Sequence, residues 1–212
     1  MEHADTEKTG RKRAMNREML KKNFENHGFL TSFFDSKEEA AAYLEGQIQN
    51  ETVGIGGSMT VKEMGLYELL AGKNQVHWHW IEPGRETLDK AAQATVYLCS
   101  ANGVAETGEL VNIDGNGNRV AMTLFGPRKV YFVVGRNKIC PDLASAMERA
   151  KQVAAPKNSL RFDSRIPCRA SGGEKCFDCS SPERMCRVTV ILERACSMIE
   201  AEVVFIDEEL GY

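Results

Sequence analysis

The 212-residue sequence has no apolar run near the ~20 residues that a membrane helix requires, so a helical membrane span is not expected. Its first twenty residues, MEHADTEKTGRKRAMNREML, lack the apolar segment of a secretory signal, which makes the cytoplasm the expected location. Positive charge is not in surplus. The 27 Lys and Arg against 30 Asp and Glu leave a net charge of −3, which excludes the broad basic field of a nucleic-acid binder. There is no Pro-rich or Gly/Ser-rich linker and no repeat of fixed period, so nothing in the sequence splits the chain. A Walker phosphate loop and a G-x-G-x-x-G dinucleotide fingerprint are both missing. Without a flavin or nicotinamide signature, the chain is not expected to carry out oxidation chemistry unaided.

What is present fits one globular unit. A hydrophobic fraction of 42% and a charged fraction of 27% are ordinary, and a chain of this length buries a core without covalent staples. Residues 1–15 read as a loose polar tail and 16–212 as one domain. Apolar runs at 29–34, 52–57, 75–82, 95–105, 129–135 and 201–212 read as strands. Helices are expected at 16–27, 36–48, 58–72, 85–94 and 141–155, the second opened by the capping box Ser36…Glu39. Segments 119–127 and 187–199 suit either state. This alternation predicts an α/β fold with a largely parallel sheet flanked by helices and a cysteine-rich excursion at about 165–187.

Two stretches carry candidate chemistry. GIGGSMT (54–60) joins an expected strand to an expected helix. Gly56 and Gly57 let backbone approach a ligand, while Ser58 and Thr60 add hydroxyls, which suits a phosphate or carboxylate. The plainer reading is a tight turn with Ser58 or Thr60 as helix cap. AETGELVNIDGNGNR (105–119) contains the dipeptides Asp114-Gly115 and Asn116-Gly117, which predict a hairpin. They leave Glu106-Thr107-Gly108 unexplained, a carboxylate and small residues at a strand end, where open α/β sheets bind ligands. Asn112, Asp114, Asn116 and Arg119 complete the candidate set. A calcium loop starting at Asp114 is excluded, because Arg119 and Phe125 stand where Gly and Glu are needed.

Cys168, Cys176, Cys179 and Cys186 are spaced C-x7-C-x2-C-x6-C in a segment with few apolar residues to order it. That pattern suits a zinc site or an iron–sulfur cluster, with four reduced thiols as the alternative. Cys99, Cys140 and Cys196 lie in apolar patterns and read as core. His77 and His79 alternate with Trp78 and Trp80, which places the tryptophans in the core and the histidines on a polar face. Asn137-Lys138 could reach an anionic ligand but also reads as an ordinary basic turn.

The motifs GIGGSMTVKEMGLYELL, AETGELVNIDGNGNRVA, GPRKVYFVVGRNKI and PC…CFDCSSPERMC, in this order across residues 16–212, resemble the LUD-domain family, lactate-utilization proteins of the protein C type. The resemblance implies a fold similar to the sugar-phosphate isomerase and coenzyme A transferase group. It implies an accessory subunit of an iron–sulfur system that oxidises L-lactate to pyruvate, working with other lactate-utilization subunits on a small anionic metabolite. It also shifts the choice at the four cysteines towards an iron–sulfur cluster. By analogy with coenzyme A transferases, Glu106 in its Glu-x-Gly turn would be nucleophile or general base of a free-standing enzyme. A regulatory ligand-binding module is the third reading. A homo-oligomer is compatible with all three.

Overall fold

The computed structural model describes residues 15–212, so all but the last residue of the expected N-terminal tail lies outside the described residues. Ten strands are present among these residues. They are β1 (Leu30–Phe34), β2 (Thr52–Ile55), β3 (Gln75–Trp78), β4 (Val96–Cys99), β5 (Gly103–Ala105), β6 (Leu110–Asp114), β7 (Lys129–Gly135), β8 (Ile139–Cys140), β9 (Val188–Leu192) and β10 (Glu200–Ile206). Six of them form one parallel sheet in the order β1-β10-β7-β4-β2-β3. The helices are α1 (Arg17–Asn26), α2 (Lys37–Gln47), α3 (Met59–Glu63), α4 (Leu66–Ala71), α5 (Arg85–Ala92), α6 (Asn118–Leu124), α7 (Leu143–Arg149), α8 (Ala155–Ser159) and α9 (Pro167–Ala170). The protein is an α/β fold built on a six-stranded parallel sheet flanked by helices.

Burial explains the strand order. β4 is buried along its whole length and β7 along all but its first residue, and both read as unbroken apolar runs because both sheet faces are covered. On one face Ile55 and Val133 share a core cluster with Leu44 of α2 and Leu66 of α4. The other packs Phe24, Phe29, Phe132 and Phe205 under α1. The Ser36 side chain caps α2 by accepting the Glu39 N–H, as the capping box predicts.

The chain departs from the sequence expectation at 95–105. This is not one strand. β4 ends at Cys99, Ser100–Asn102 cross over, and β5 enters a second, smaller sheet ordered β8-β5-β6-β9. Gly103 permits the entry, because a Cβ there would sit 2.2 Å from the Ala146 carbonyl oxygen. The two ambiguous segments resolve as α6 and as β9 followed by a turn.

The hairpin is also not where the Asn-Gly dipeptides put it. β5 and β6 are antiparallel, and the turn joining them is Glu106–Glu109, with Gly108 at φ +115°. Asp114–Gly117 instead leads into α6. The Asp114 carboxylate accepts the N–H groups of Gly115 (2.7 Å), Gly117 (3.4 Å) and Val120 (3.2 Å), and Gly117 takes φ +81°. A carboxylate that binds the first N–H groups of a helix competes with hairpin geometry, and here it wins.

The helix expected at 141–155 starts later and runs further. Asp142 caps α7 through the Ser145 N–H (2.7 Å), so Pro141 lies outside it. A π-helical segment, Ala150–Ala154, then links α7 to α8. Pro156 cannot donate a backbone hydrogen bond, and a wider turn just ahead of it absorbs that loss.

Candidate functional site

A cavity of about 550 Å³ opens at the carboxyl ends of β3, β2, β4 and β7. The residues that leave these strands line it: His79 and Trp80 after β3, Gly57 and Ser58 after β2, Ser100 and Asn102 after β4, and Lys138 after β7. This is where open parallel sheets place ligands, and the volume suits a small one.

Lys138 is the central group. It is 3% exposed, and its ammonium donates to Thr60 Oγ1 at 2.6 Å and Ser100 Oγ at 2.8 Å. Among the described residues no carboxylate lies within ion-pair distance of it. Burial pulls its pKa down to about 7, helped by the positive charges of Arg149 and Arg119 and opposed by Glu63.

Arg119 forms one wall. Its guanidinium is already engaged. It donates to Asn112 Oδ1 (2.8 Å), Asn102 Oδ1 (3.0 Å) and the Ile113 carbonyl (2.6 Å), with Asp114 3.7 Å from Nε. It therefore contributes a fixed positive field rather than a free fork. Gly56 makes room for it, because a Cβ there would meet Arg119 Cγ at 2.9 Å and the Tyr97 hydroxyl at 3.0 Å. Arg161, Arg184 and Arg187 also line the cavity, and with Arg119 and Lys138 they outnumber the lining carboxylates Asp114 and Glu183. The Arg161 guanidinium stacks 3.5 Å over the Trp80 ring.

The expected site residues separate into two groups. Gly57, Ser58, Asp114, Asn116 and Arg119 line the cavity. Gly56, Thr60 and Asn112 stand behind it, shaping or holding Arg119 and Lys138. Ser58 accepts the Val61 N–H as the cap of α3, as in the plainer reading, and α3 is too short to offer a helix-end anion site. Glu106, Thr107 and Gly108 are not brought to the cavity. Their turn lies against α1, where Asn23 donates to the Glu106 carbonyl (2.7 Å) and a Cβ on Gly108 would touch His27. The Glu106 N–H is taken by the Cys140 carbonyl (2.8 Å). Glu106 is buried and is not among the residues that line the cavity.

Cys168, Cys176, Cys179 and Cys186 all line the mouth of this cavity and all are reduced. Among the described residues no three His, Cys, Asp or Glu side chains are grouped to hold a metal ion. As arranged, the four thiols do not make a zinc or cluster ligand set. The segment is ordered by other means. Arg184 donates to the carbonyls of Cys179 (2.7 Å) and Cys186 (2.9 Å) and to Asp178 (3.2 Å), and the Glu183 carboxylate accepts the Arg165 N–H (2.6 Å). Gln152 accepts the Cys176 N–H (3.2 Å), and Lys151 pairs with Asp178.

Cys99 and Cys140 are buried core residues, as their apolar settings predict, and burial pushes the Cys99 thiol up to about 12. Cys196 packs at the edge of the core. The His/Trp alternation holds only to Trp78, where the strand ends. Trp78 is core, but His77 is buried as well, and His79 and Trp80 turn into the cavity wall. Burial lowers the His79 pKa, with Arg161 adding to the effect. Lys138 and Ser100 were the residues least visible in the sequence. Lys138 showed only as part of a basic turn able to reach an anion, and Ser100 was hidden inside the single strand expected at 95–105.

With this geometry in hand, comparison with known proteins places the chain. The LUD-domain model matches residues 17–206. The protein belongs to the LUD-domain family. That family is associated with lactate utilization. Among solved structures, the LUD protein resembles a crystal structure of a DUF162 family protein from Deinococcus radiodurans. The TM-score is 0.52 at 12% identity, covering 89% of this chain and 94% of that one. At that identity the likeness is one of fold. No curated protein matches the sequence.

Proposed function

We propose that this LUD protein is the small-anion-binding subunit of a lactate-utilization system, with the cavity at the strand ends as its binding site. The observation that carries the reading is Lys138: a buried amine on the cavity wall whose partners are two hydroxyls and not a carboxylate. A buried cation without a counter-ion is costly, and an anionic ligand supplies the missing charge. The cationic rim and the family's association with lactate point to a small carboxylate such as lactate or pyruvate. Electron transfer is assigned to partner subunits, because no dinucleotide loop is present and the four thiols are not arranged as a cluster site.

The test is direct. Titration of the full chain with L-lactate, pyruvate and phosphate, followed by calorimetry and by NMR, should show saturable binding of the carboxylates with shifts at Ser100, Arg119 and Lys138. Absence of saturable binding, or shifts confined to other surfaces, defeats the reading. Anaerobic affinity capture of partners tests the subunit assignment separately. The transferase reading through Glu106 is disfavoured because the Glu106 turn lies on α1, away from the cavity.

A further inference from the structure

The hydrogen bonds around Lys138 say more than that a cation is buried there. Each partner hydroxyl has committed its own proton to the backbone: Thr60 donates to the Leu210 carbonyl (3.3 Å) and Ser100 to the Val133 carbonyl (2.6 Å). Both oxygens are thereby fixed as acceptors for the amine. No third acceptor meets the Lys138 nitrogen among the described residues. An ammonium has three N–H donors, whereas a neutral amine has two and one lone pair. Two acceptors leave the third tetrahedral position uncommitted in either state: in the ammonium it offers an N–H to an anionic ligand, and in the neutral amine it carries the lone pair.

The charged surroundings favour the neutral amine. Arg149 is anchored by donating to the carbonyls of Asn137 (2.8 Å) and Asn102, and Arg119 is anchored as described above. Two fixed guanidinium groups near a buried amine resist its protonation. The one opposing carboxylate, Glu63, is itself turned to the Gly211 N–H (2.7 Å). A lysine held beside other cations and out of water is a recurring way to prepare an amine nucleophile.

We propose that Lys138 condenses with the carbonyl carbon of a small 2-oxo acid in the cavity to form an imine. The inference rests on the cavity being the anion site. The rim cations select a carboxylate, and the limited volume selects a short one. In the first step the Nζ lone pair forms the N–C bond, and the carbonyl π pair moves to oxygen, which takes up one of the two amine protons. In the second step the resulting hydroxyl leaves with the other amine proton as water, and the C=N bond closes. No oxidant, reductant or further reactant is needed. Thr60 and Ser100 act as positioning residues that aim the lone pair.

Pyruvate is the probe. The full chain is incubated with pyruvate and cyanoborohydride, then examined by intact mass and peptide mapping. Binding of pyruvate and L-lactate is measured in parallel without reductant. The expected result is one adduct per chain, on Lys138, with the mass of pyruvic acid less one oxygen atom. L-Lactate, which has no carbonyl, should give no adduct and should slow labelling by pyruvate. Label spread over exposed lysines such as Lys62 and Lys73 overturns the inference. Pyruvate that binds but leaves Lys138 unlabelled overturns it too, while the anion site stands. If neither acid binds, the anion site fails and the imine with it. Because wild-type protein is used, the outcome does not depend on whether a Lys138 variant folds. The Lys138→Arg protein, checked by thermal melting, should lose the adduct, because a guanidinium does not condense with the carbonyl.

Discussion

Lys129 and Lys138 lie at opposite ends of β7, one opening the strand and the other three residues past its close. Lys129 bridges Glu200 (2.7 Å) and Glu202 (3.0 Å), and Glu202 also accepts from Ser32 (2.6 Å) and Tyr43 (2.7 Å). Burial pulls the Lys129 pKa down, but the hydrogen bonds to Glu200, Tyr131 and Glu202 outweigh it, and the net shift is upward. Lys138 has hydroxyls where Lys129 has carboxylates, and its pKa falls to about 7. The same side chain is thus a closed structural pair at the amino end of the sheet and an open charge at the carboxyl end. A buried cation that the fold has left unpaired marks the end where a ligand is expected.

The largest test of this contrast is removal of each amine. Lys129→Met strands the Glu202 carboxylate, which is 2% exposed, and should destabilise the protein by about 3–5 kcal/mol in urea unfolding. Lys138→Met removes a cation with no partner carboxylate and should cost far less at neutral pH. Equal losses from the two substitutions would erase the distinction.

Next is the pH dependence. The folded-state pKa of Lys138 lies below its ordinary value of 10.5. Between about pH 7 and 10.5 the unfolded chain therefore binds the extra proton, and stability rises with pH. The cost of charging the buried amine is fully present below pH 7. Compared with Lys138→Met, the wild type should gain about 1.4 kcal/mol per pH unit across that window. Burial sets most of the shift, with Arg149 and Arg119 adding to it and Glu63 and Cys99 opposing it. Parallel stability curves for the two proteins would show that Lys138 is not depressed.

Gly56→Ala should come third. Its Cβ would press on Arg119 and the Tyr97 hydroxyl, a cost of about 1–3 kcal/mol, with pyruvate binding weakened as Arg119 shifts. Unchanged binding would remove Arg119 from the site.

A smaller and more local effect is expected at the cavity mouth. Arg184→Ala should speed amide exchange across 165–187, roughly tenfold or more, and leave the sheet unaffected. Cys179→Ser should leave that exchange almost unchanged. One zinc or one cluster per chain in anaerobic protein, lost with Cys179, would reverse this ranking and make a metal the organiser.

The smallest effect is expected from Glu106→Gln, which should change pyruvate affinity by less than about 0.5 kcal/mol because the turn lies outside the cavity. A large loss would bring Glu106 back as a participant.

Much of this protein was fixed by local pattern. The buried strands 52–55 and 129–135, the Ser36 cap, the parallel α/β fold and the core cysteines Cys99 and Cys140 all follow from apolar periodicity and capping chemistry within a few residues. The Gly56-Gly57-Ser58 loop was legible as part of a site because a strand running into glycines ends at a sheet's carboxyl edge. What sequence could not decide was which edges meet. Asp114-Gly-Asn-Gly has hairpin chemistry, but Asp114 binds the start of α6, and the hairpin falls to Glu106–Glu109. Glu106 is drawn to α1 by a chain reversal that no local pattern encodes. Lys138 sits in an unremarkable GRNK turn. It becomes a buried amine only because Thr60 and Ser100, 78 and 38 residues away, are brought to it by neighbouring parallel strands. Secondary structure depends on neighbours in the chain, whereas burial and the matching of donors to acceptors depend on neighbours in space. The charge state of Lys138, and the role it supports, came only from the latter.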